Sequence, residues 1–154
     1  MPDNEEIIRL EEVFKIFGPQ PRGRAFDLAK AGVHKNEVQK QSGHVVGLSD
    51  VSFNVKKGEI FVVMGLSGSG KSTAIRTVNK LHDVTSGQVL GDGADVQQQN
   101  GKDLHPFRRE KMGMGFQHFA LFPHRTFIDN PAYGLKVQRA IRAEPAASPR
   151  RALQ

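Results

Sequence analysis

Residues 59–81 read EIFVVMGLSGSGKSTAIRTVNKL. Within them Gly65, Gly70, Lys71 and Ser72 stand at the spacing G-x-x-x-x-G-K-[ST]. The chemistry open to such a stretch is the holding of a polyphosphate. Dense negative charge calls for several backbone N–H groups turned inward. Gly65, Gly68 and Gly70 permit the turns that make such a nest and put no side chain in the way. Lys71 adds a mobile point charge for the β- and γ-phosphates, and the Ser72 hydroxyl adds a ligand for Mg²⁺. A dinucleotide-binding loop fits less well, because Thr73 stands where a third glycine or alanine would be needed.

Flanking elements must position that loop. The apolar run over residues 60–64 predicts a buried strand entering it. Ile75, Val78 and Leu81, at helical spacing, predict a helix leaving it, with the positive end of its dipole aimed at the phosphates. Upstream, Val51, Phe53 and Val55 alternate with Ser52 and Asn54, so residues 45–55 read as a strand, and residues 56–59 as the turn that feeds the loop. A first strand is expected over residues 10–16, broken by Gly18-Pro19.

Between these strands, residues 22–43 read as two short helices. Phe26, Ala29 and Val33 share a face, and Gly32 ends the first helix. Asn36 is the expected cap of the second, and Gly43 its stop. Arg22, Arg24, Lys30, Lys35 and Lys40 leave a DNA-binding helix-turn-helix open here, although helical hairpins as surface insertions are common.

Downstream of the loop helix, a short strand is expected over residues 88–90 and a turn over 91–96. A polar stretch follows over 97–103, a solvated loop or the start of a helix, then a short helix over 104–109 broken or entered at Pro106. Met112, Met114 and Phe116 suggest a strand over 111–117, weakened by Gly113 and Gly115. Helix is expected after Asn130-Pro131. Beyond Val137 the chain turns rich in Ala, Arg and Pro, the composition of a disordered or loosely helical tail.

A length of 154 residues suits one domain. Hydrophobic content of 38% and a mean hydropathy of −0.44 are those of a water-soluble chain. No apolar run approaches the roughly 20 residues of a membrane span. The acidic start lacks the layout of a signal peptide, and there is no cysteine, so the expected compartment is the cytoplasm. Net charge is +6. Lys136, Arg139, Arg142, Arg150 and Arg151, against Glu144 alone, concentrate most of it in the tail, so charge makes no case for a nucleic-acid surface. The histidines at 34, 44, 82, 105, 118 and 124 show no paired metal-ligand spacing.

Together with FQHFALFPHRTFIDN at residues 116–130 and KIFG at 15–18, the loop resembles that of the ATP-binding subunits of ABC transporters. Within them the chain is similar to importers of glycine betaine, L-proline and related quaternary amines, a likeness carried by the insertion at 22–43. The resemblance spans about residues 8–137. It implies an α/β fold, the N-terminal part of a P-loop NTPase of the ABC ATPase kind. A mixed sheet would surround the loop strand, with an antiparallel strand layer and a helical insertion. Residues 1–137 would form a partial nucleotide-binding domain and 138–154 a tail.

The implied ligands are ATP and Mg²⁺. Phe17 would stack on adenine. Gly65, Leu66, Ser67, Gly68, Ser69, Gly70, Lys71, Ser72 and Thr73 would cradle the phosphates. Gln117 would be the Q-loop glutamine, touching the attacking water and sharing Mg²⁺ with Ser72. Residues 118–124 would face a transmembrane permease. The further implied partners are a second ATP-binding subunit in a head-to-tail dimer and, indirectly, a periplasmic or lipid-anchored substrate-binding protein. No nucleic acid is implied, and the place is the inner face of the cell membrane.

The LSGG-type signature, the Walker B aspartate with its catalytic glutamate, the D-loop and the switch histidine are not among these residues. No run of four apolar residues is followed by Asp-Glu. The expectation is therefore a product truncated after the Q-loop, by frameshift or as a fragment, that binds Mg-ATP weakly and hydrolyses it little. Two other readings remain: a small P-loop kinase or NTPase acting on a soluble acceptor, and a nucleic-acid-binding module built on residues 22–43.

Overall fold

A computed structural model describes residues 5–115, 122–130, 132 and 133. In chain order the elements are β1 (Glu6–Phe17), α1 (Arg24–Lys30), α2 (Lys35–Ser42), β2 (Val45–Lys56), α3 (Lys71–Val78), β3 (Ser86–Gly91), β4 (Ala94–Asp95) and α4 (Gly101–Lys111). The chain divides into two compact units, Met1–Pro106 and Phe107–Gln154.

Among the described residues of the first unit, four strands form one sheet in the order β2-β1-β3-β4, antiparallel at every junction. β1 is paired along both edges. Leu10 faces Phe53 on one side and Val89 on the other. The expected strands at 10–16, 45–55 and 88–90 are the centres of longer ones, and the turn after residue 91 closes a hairpin onto β4.

β1 alternates imperfectly for a local reason. Glu12 adopts φ +46°, and the register with β2 slips between Leu10 and Val13. The bulge re-phases the strand, so that Leu10, Val13, Phe14 and Ile16 are all buried. Ser52 Oγ accepts from the Glu12 N–H at 2.9 Å. Gly87 lies against the bulge at φ +90°, where a Cβ would stand 2.3 Å from the Glu12 carbonyl oxygen.

Both helices of the insertion share the sheet's core. Ala25, Ala29 and Val38 are buried with Phe14 and Ile16, and Phe26 meets Phe14 edge-on at 5.3 Å. Gly43 ends α2 in the left-handed conformation, as expected. The cap differs: His34 takes that place, its Nδ1 accepting from the Asn36 N–H at 3.4 Å. Asn36 is already inside the helix.

Other expectations are corrected. The strand over residues 60–64 is absent. Ile60 and Met64 are 91% and 86% exposed, and only Phe61 finds a stacked partner, Phe53, at 4.8 Å. A run apolar on both faces needs neighbours on both edges and cover on both sides, and the described residues hold no strand that pairs with it. The sheet they form is thus antiparallel rather than mixed. Next, residues 112–115 are irregular, since Gly113 and Gly115 offer nothing to pack and α4 already extends to Lys111; residues 116–121 lie outside the described residues. α4 itself outruns residues 104–109 at both ends and carries Pro106 in its interior, where one backbone bond goes unmade.

Lastly, Gln97 is half-buried. Its side chain donates to the Thr77 carbonyl and accepts from the Val84 N–H, pinning the end of α3 to the segment that leads into β3.

In the second unit, Thr126 caps a helical turn entered earlier than Pro131. Its hydroxyl accepts from the Asp129 N–H and donates to the Asp129 carboxylate. Asn130 ties this turn to the Phe122 backbone, and Arg125 packs over the Phe122 and Tyr133 rings.

Gly87→Ala adds a backbone clash to an unfavourable torsion and should cost about 3 kcal/mol. Gly93→Ala has the torsion with open space around it and should cost about 1 kcal/mol. Denaturant melts of the two variants check the difference; equal losses would remove the close approach at the bulge.

Candidate functional site

The loop before α3 closes on its own lysine. Lys71 Nζ donates to the carbonyls of Gly65 and Leu66, each at 2.7 Å, and to Ser69 Oγ at 3.3 Å. The Ser69 N–H points the same way, to the Leu66 carbonyl at 3.2 Å. An ammonium thus occupies the interior of a turn that exposes small residues and backbone, and α3 opens immediately behind it. This is the expected order of loop and helix, achieved without the expected strand.

A glycine contact fixes the loop to the sheet. Gly70 caps α3 at φ +96°, and a Cβ there would lie 2.3 Å from the Gly47 carbonyl oxygen on β2. No other residue permits that approach. A Cβ on Gly47 would in turn meet Phe17 Cε2 at 2.7 Å and Thr73 Cγ2 at 3.1 Å. Gly47 is therefore the hinge point between the end of β1 and the first turn of α3. Behind the loop, Ala74 and Thr77 bury the inner face of α3. Lys80 reaches across to the Gln97 and Gln99 carbonyls at 2.8 and 2.6 Å.

The candidate aromatic, Phe17, stands half-buried beside this hinge. The His82 ring meets it edge-on at 5.3 Å, and the Lys15 ammonium lies 4.8 Å from its centroid. Ser72 is exposed in the first turn of α3. The structure therefore gathers Phe17, the Gly65–Thr73 cradle and Ser72 around one corner of the first unit. Gln117, the candidate Q-loop glutamine and second Mg²⁺ ligand, lies outside the described residues, as do residues 118–121. Of the stretch expected to face a permease, Phe122 and His124 are described, exposed and in ring contact at 5.7 Å.

Two neighbours escaped sequence reasoning. His82 follows the loop helix with nothing in its spacing to mark it. Lys35, the first residue of α2, donates to the Gly68 carbonyl at 3.0 Å; its place in a basic insertion was legible, its target was not.

A sequence profile of the ABC transporter family matches residues 48–152. The chain belongs to the ABC transporter family. Among ABC proteins it is 44% identical over 130 residues to the glycine betaine/proline betaine transport system ATP-binding protein ProV of Escherichia coli. That alignment covers 84% of this chain and 32% of ProV. It is 46% identical over 131 residues to the glycine betaine/carnitine transport ATP-binding protein GbuA of Listeria monocytogenes, covering 85% and 33%. The chain spans about a third of the length of these ABC relatives. Its fold is similar to the dimeric ATP-binding cassette MJ0796 bound to ADP and phosphate. The TM-score is 0.67 at 27% identity, over 92% of this chain and 50% of that one. The α/β P-loop NTPase class expected of an ABC ATPase stands. Among the described residues no helix is long and apolar enough to cross a membrane.

Gly70→Ala should displace the ABC loop from β2 and lower affinity for a triphosphate at least about tenfold, since the cradle loses its backing. Circular dichroism with nucleotide titration checks this: the far-ultraviolet spectrum should hold while binding falls.

Proposed function

We propose that the chain is an ATP-binding part of an importer for compatible solutes of the glycine betaine and proline type. In that importer, ATP binding and hydrolysis drive transport across the membrane. The observation that carries the reading is the ammonium of Lys71 enclosed by its own loop at the start of α3. A group so placed exchanges loop carbonyls for phosphate oxygens when a polyphosphate enters, while the freed backbone and the helix end present positive charge to it. The likeness to ProV and GbuA, which are glycine betaine transport ATP-binding proteins, supports the solute class.

Each residue then has a task. The amides of the 65–70 turn bind the phosphates, Lys71 neutralises the β- and γ-oxygens, and Phe17 offers a ring to the adenine. The donor set fits Mg²⁺ at the Ser72 hydroxyl, which stands exposed beside the cradle, with Gln117 as the second ligand. Mg²⁺ bound there supplies charge neutralisation across the terminal phosphates. Exposed Phe122 and His124 in the second unit, with Phe127 87% exposed and Ile128 73% exposed, would lie toward a permease. A second ATP-binding subunit, head to tail, would complete each site, and the assembly would sit on the inner face of the membrane.

Phosphoryl transfer asks the protein mainly for positioning and electrostatic stabilisation. These 154 residues carry the cradle but neither the Walker B carboxylates nor a signature sequence. The polypeptide by itself should therefore bind Mg-ATP and turn it over at background rate.

Calorimetry with and without Mg²⁺ tests the reading. Lys71→Ala should weaken ATP binding at least about tenfold, the loss of a charge-assisted contact to phosphate. Phe17→Ala should weaken ATP and AMP alike, by about threefold to tenfold, as loss of one stacked ring. Undiminished binding in Lys71→Ala would overturn the site.

A further inference from the structure

The insertion reaches the loop through Lys35, whose Nζ donates to the Gly68 carbonyl at 3.0 Å. The anchor of that lysine is firm. α2 is held by Val38, which is fully buried among Phe14, Ile16, Ala25 and Ala29, and its first turn is capped by His34. The target is soft. Gly68 sits at φ +75° with open space where a Cβ would be, so the peptide that follows it can rotate cheaply.

That peptide matters to the cradle. It is planar and trans, so the Gly68 carbonyl and the Ser69 N–H point in opposite directions. Lys35 draws the carbonyl toward α2. The Ser69 N–H is thereby left facing the loop interior, where it meets the Leu66 carbonyl beside the Lys71 ammonium. A cation on the carbonyl also polarises the peptide and makes its N–H a stronger donor.

We propose that Lys35 is a positioning residue for the phosphate loop: the insertion presets the Gly68–Ser69 peptide so that its N–H is already turned to receive a phosphate oxygen. Lys35 touches the backbone of the cradle, not the nucleotide. Its effect is to remove a rotational freedom that binding would otherwise have to remove. The inference rests on the polyphosphate reading of the loop and extends it to an element that loop motifs do not include.

The test compares ATP and ADP affinities, with Mg²⁺ at fixed salt, for the chain and for Lys35→Met, Lys35→Arg, Lys30→Met and Lys71→Ala. Lys30, exposed in the last turn of α1, controls for net charge. Lys35→Met should lose affinity about threefold to tenfold for both nucleotides, with an unchanged unfolding midpoint and faster hydrogen exchange at the Ser69 amide. Lys35→Arg should restore both readouts, and Lys30→Met should match the parent.

Parent-like affinity in Lys35→Met, equal loss in Lys30→Met, or no rescue by arginine would each overturn the proposal. If Lys35→Met lowers the unfolding midpoint, Lys35→Gln is judged on the same two readouts. Lys71→Ala separates the two levels. If it loses ATP while Lys35→Met does not, only the clamp falls; if it keeps ATP, the polyphosphate reading falls with it.

Discussion

The pairing of β1 along both its edges is the constraint that the first 106 residues depend on. One strand joins β2 to β3, so every element docked on the sheet is referred to it. Phe14 and Ile16 on β1 hold the insertion from below. The backbone of the same two residues bonds Thr85, through the Phe14 carbonyl at 2.7 Å and the Ile16 N–H at 2.9 Å. That fixes the segment carrying His82 beside Phe17, the last residue of the strand. A buried backbone group left without its partner costs on the order of 1–3 kcal/mol, so the buried Thr85 contact holds this corner in one arrangement.

The loop is tied to that frame by absence of bulk rather than by attraction. Gly47 and Gly70 bring β2 and the start of α3 to within a distance that a single methyl group would forbid. At the other end of α3, Gln97 and Lys80 make the polar bonds that hold the helix. With both ends pinned, the loop between residues 65 and 70 is the part left free to reorganise. Its carbonyls hold Lys71 in place, and each charge-assisted bond of this kind is worth no more than about 1.5–3 kcal/mol before solvent screening. A multiply charged phosphate can displace them, because it offers the ammonium more negative charge and offers the loop amides an acceptor.

The insertion is more than an ornament on the surface. Its buried face is continuous with the sheet core, so its helices cannot shift without disturbing Phe14 and Ile16. Its exposed face bears the lysine that meets Gly68. The same residues therefore link the core to Gly68 in the cradle.

Residue order by itself determined what depends on near neighbours. The loop spacing, the helix behind it, the stops at Gly32 and Gly43, and the alternation of β2 all follow from torsions and contacts within a few residues. The family likeness follows from the same short stretches. Tertiary structure decided whatever needed a distant partner. Residues 60–64 have strand composition, yet a strand exists only where another chain segment supplies hydrogen bonds. Gln97 looked solvated until the fold set it under Thr77, 20 residues away. Lys35 looked like one cation among five until packing carried it 33 residues along the chain to Gly68. Composition records which groups are present, but only closure of the chain sets which of them meet.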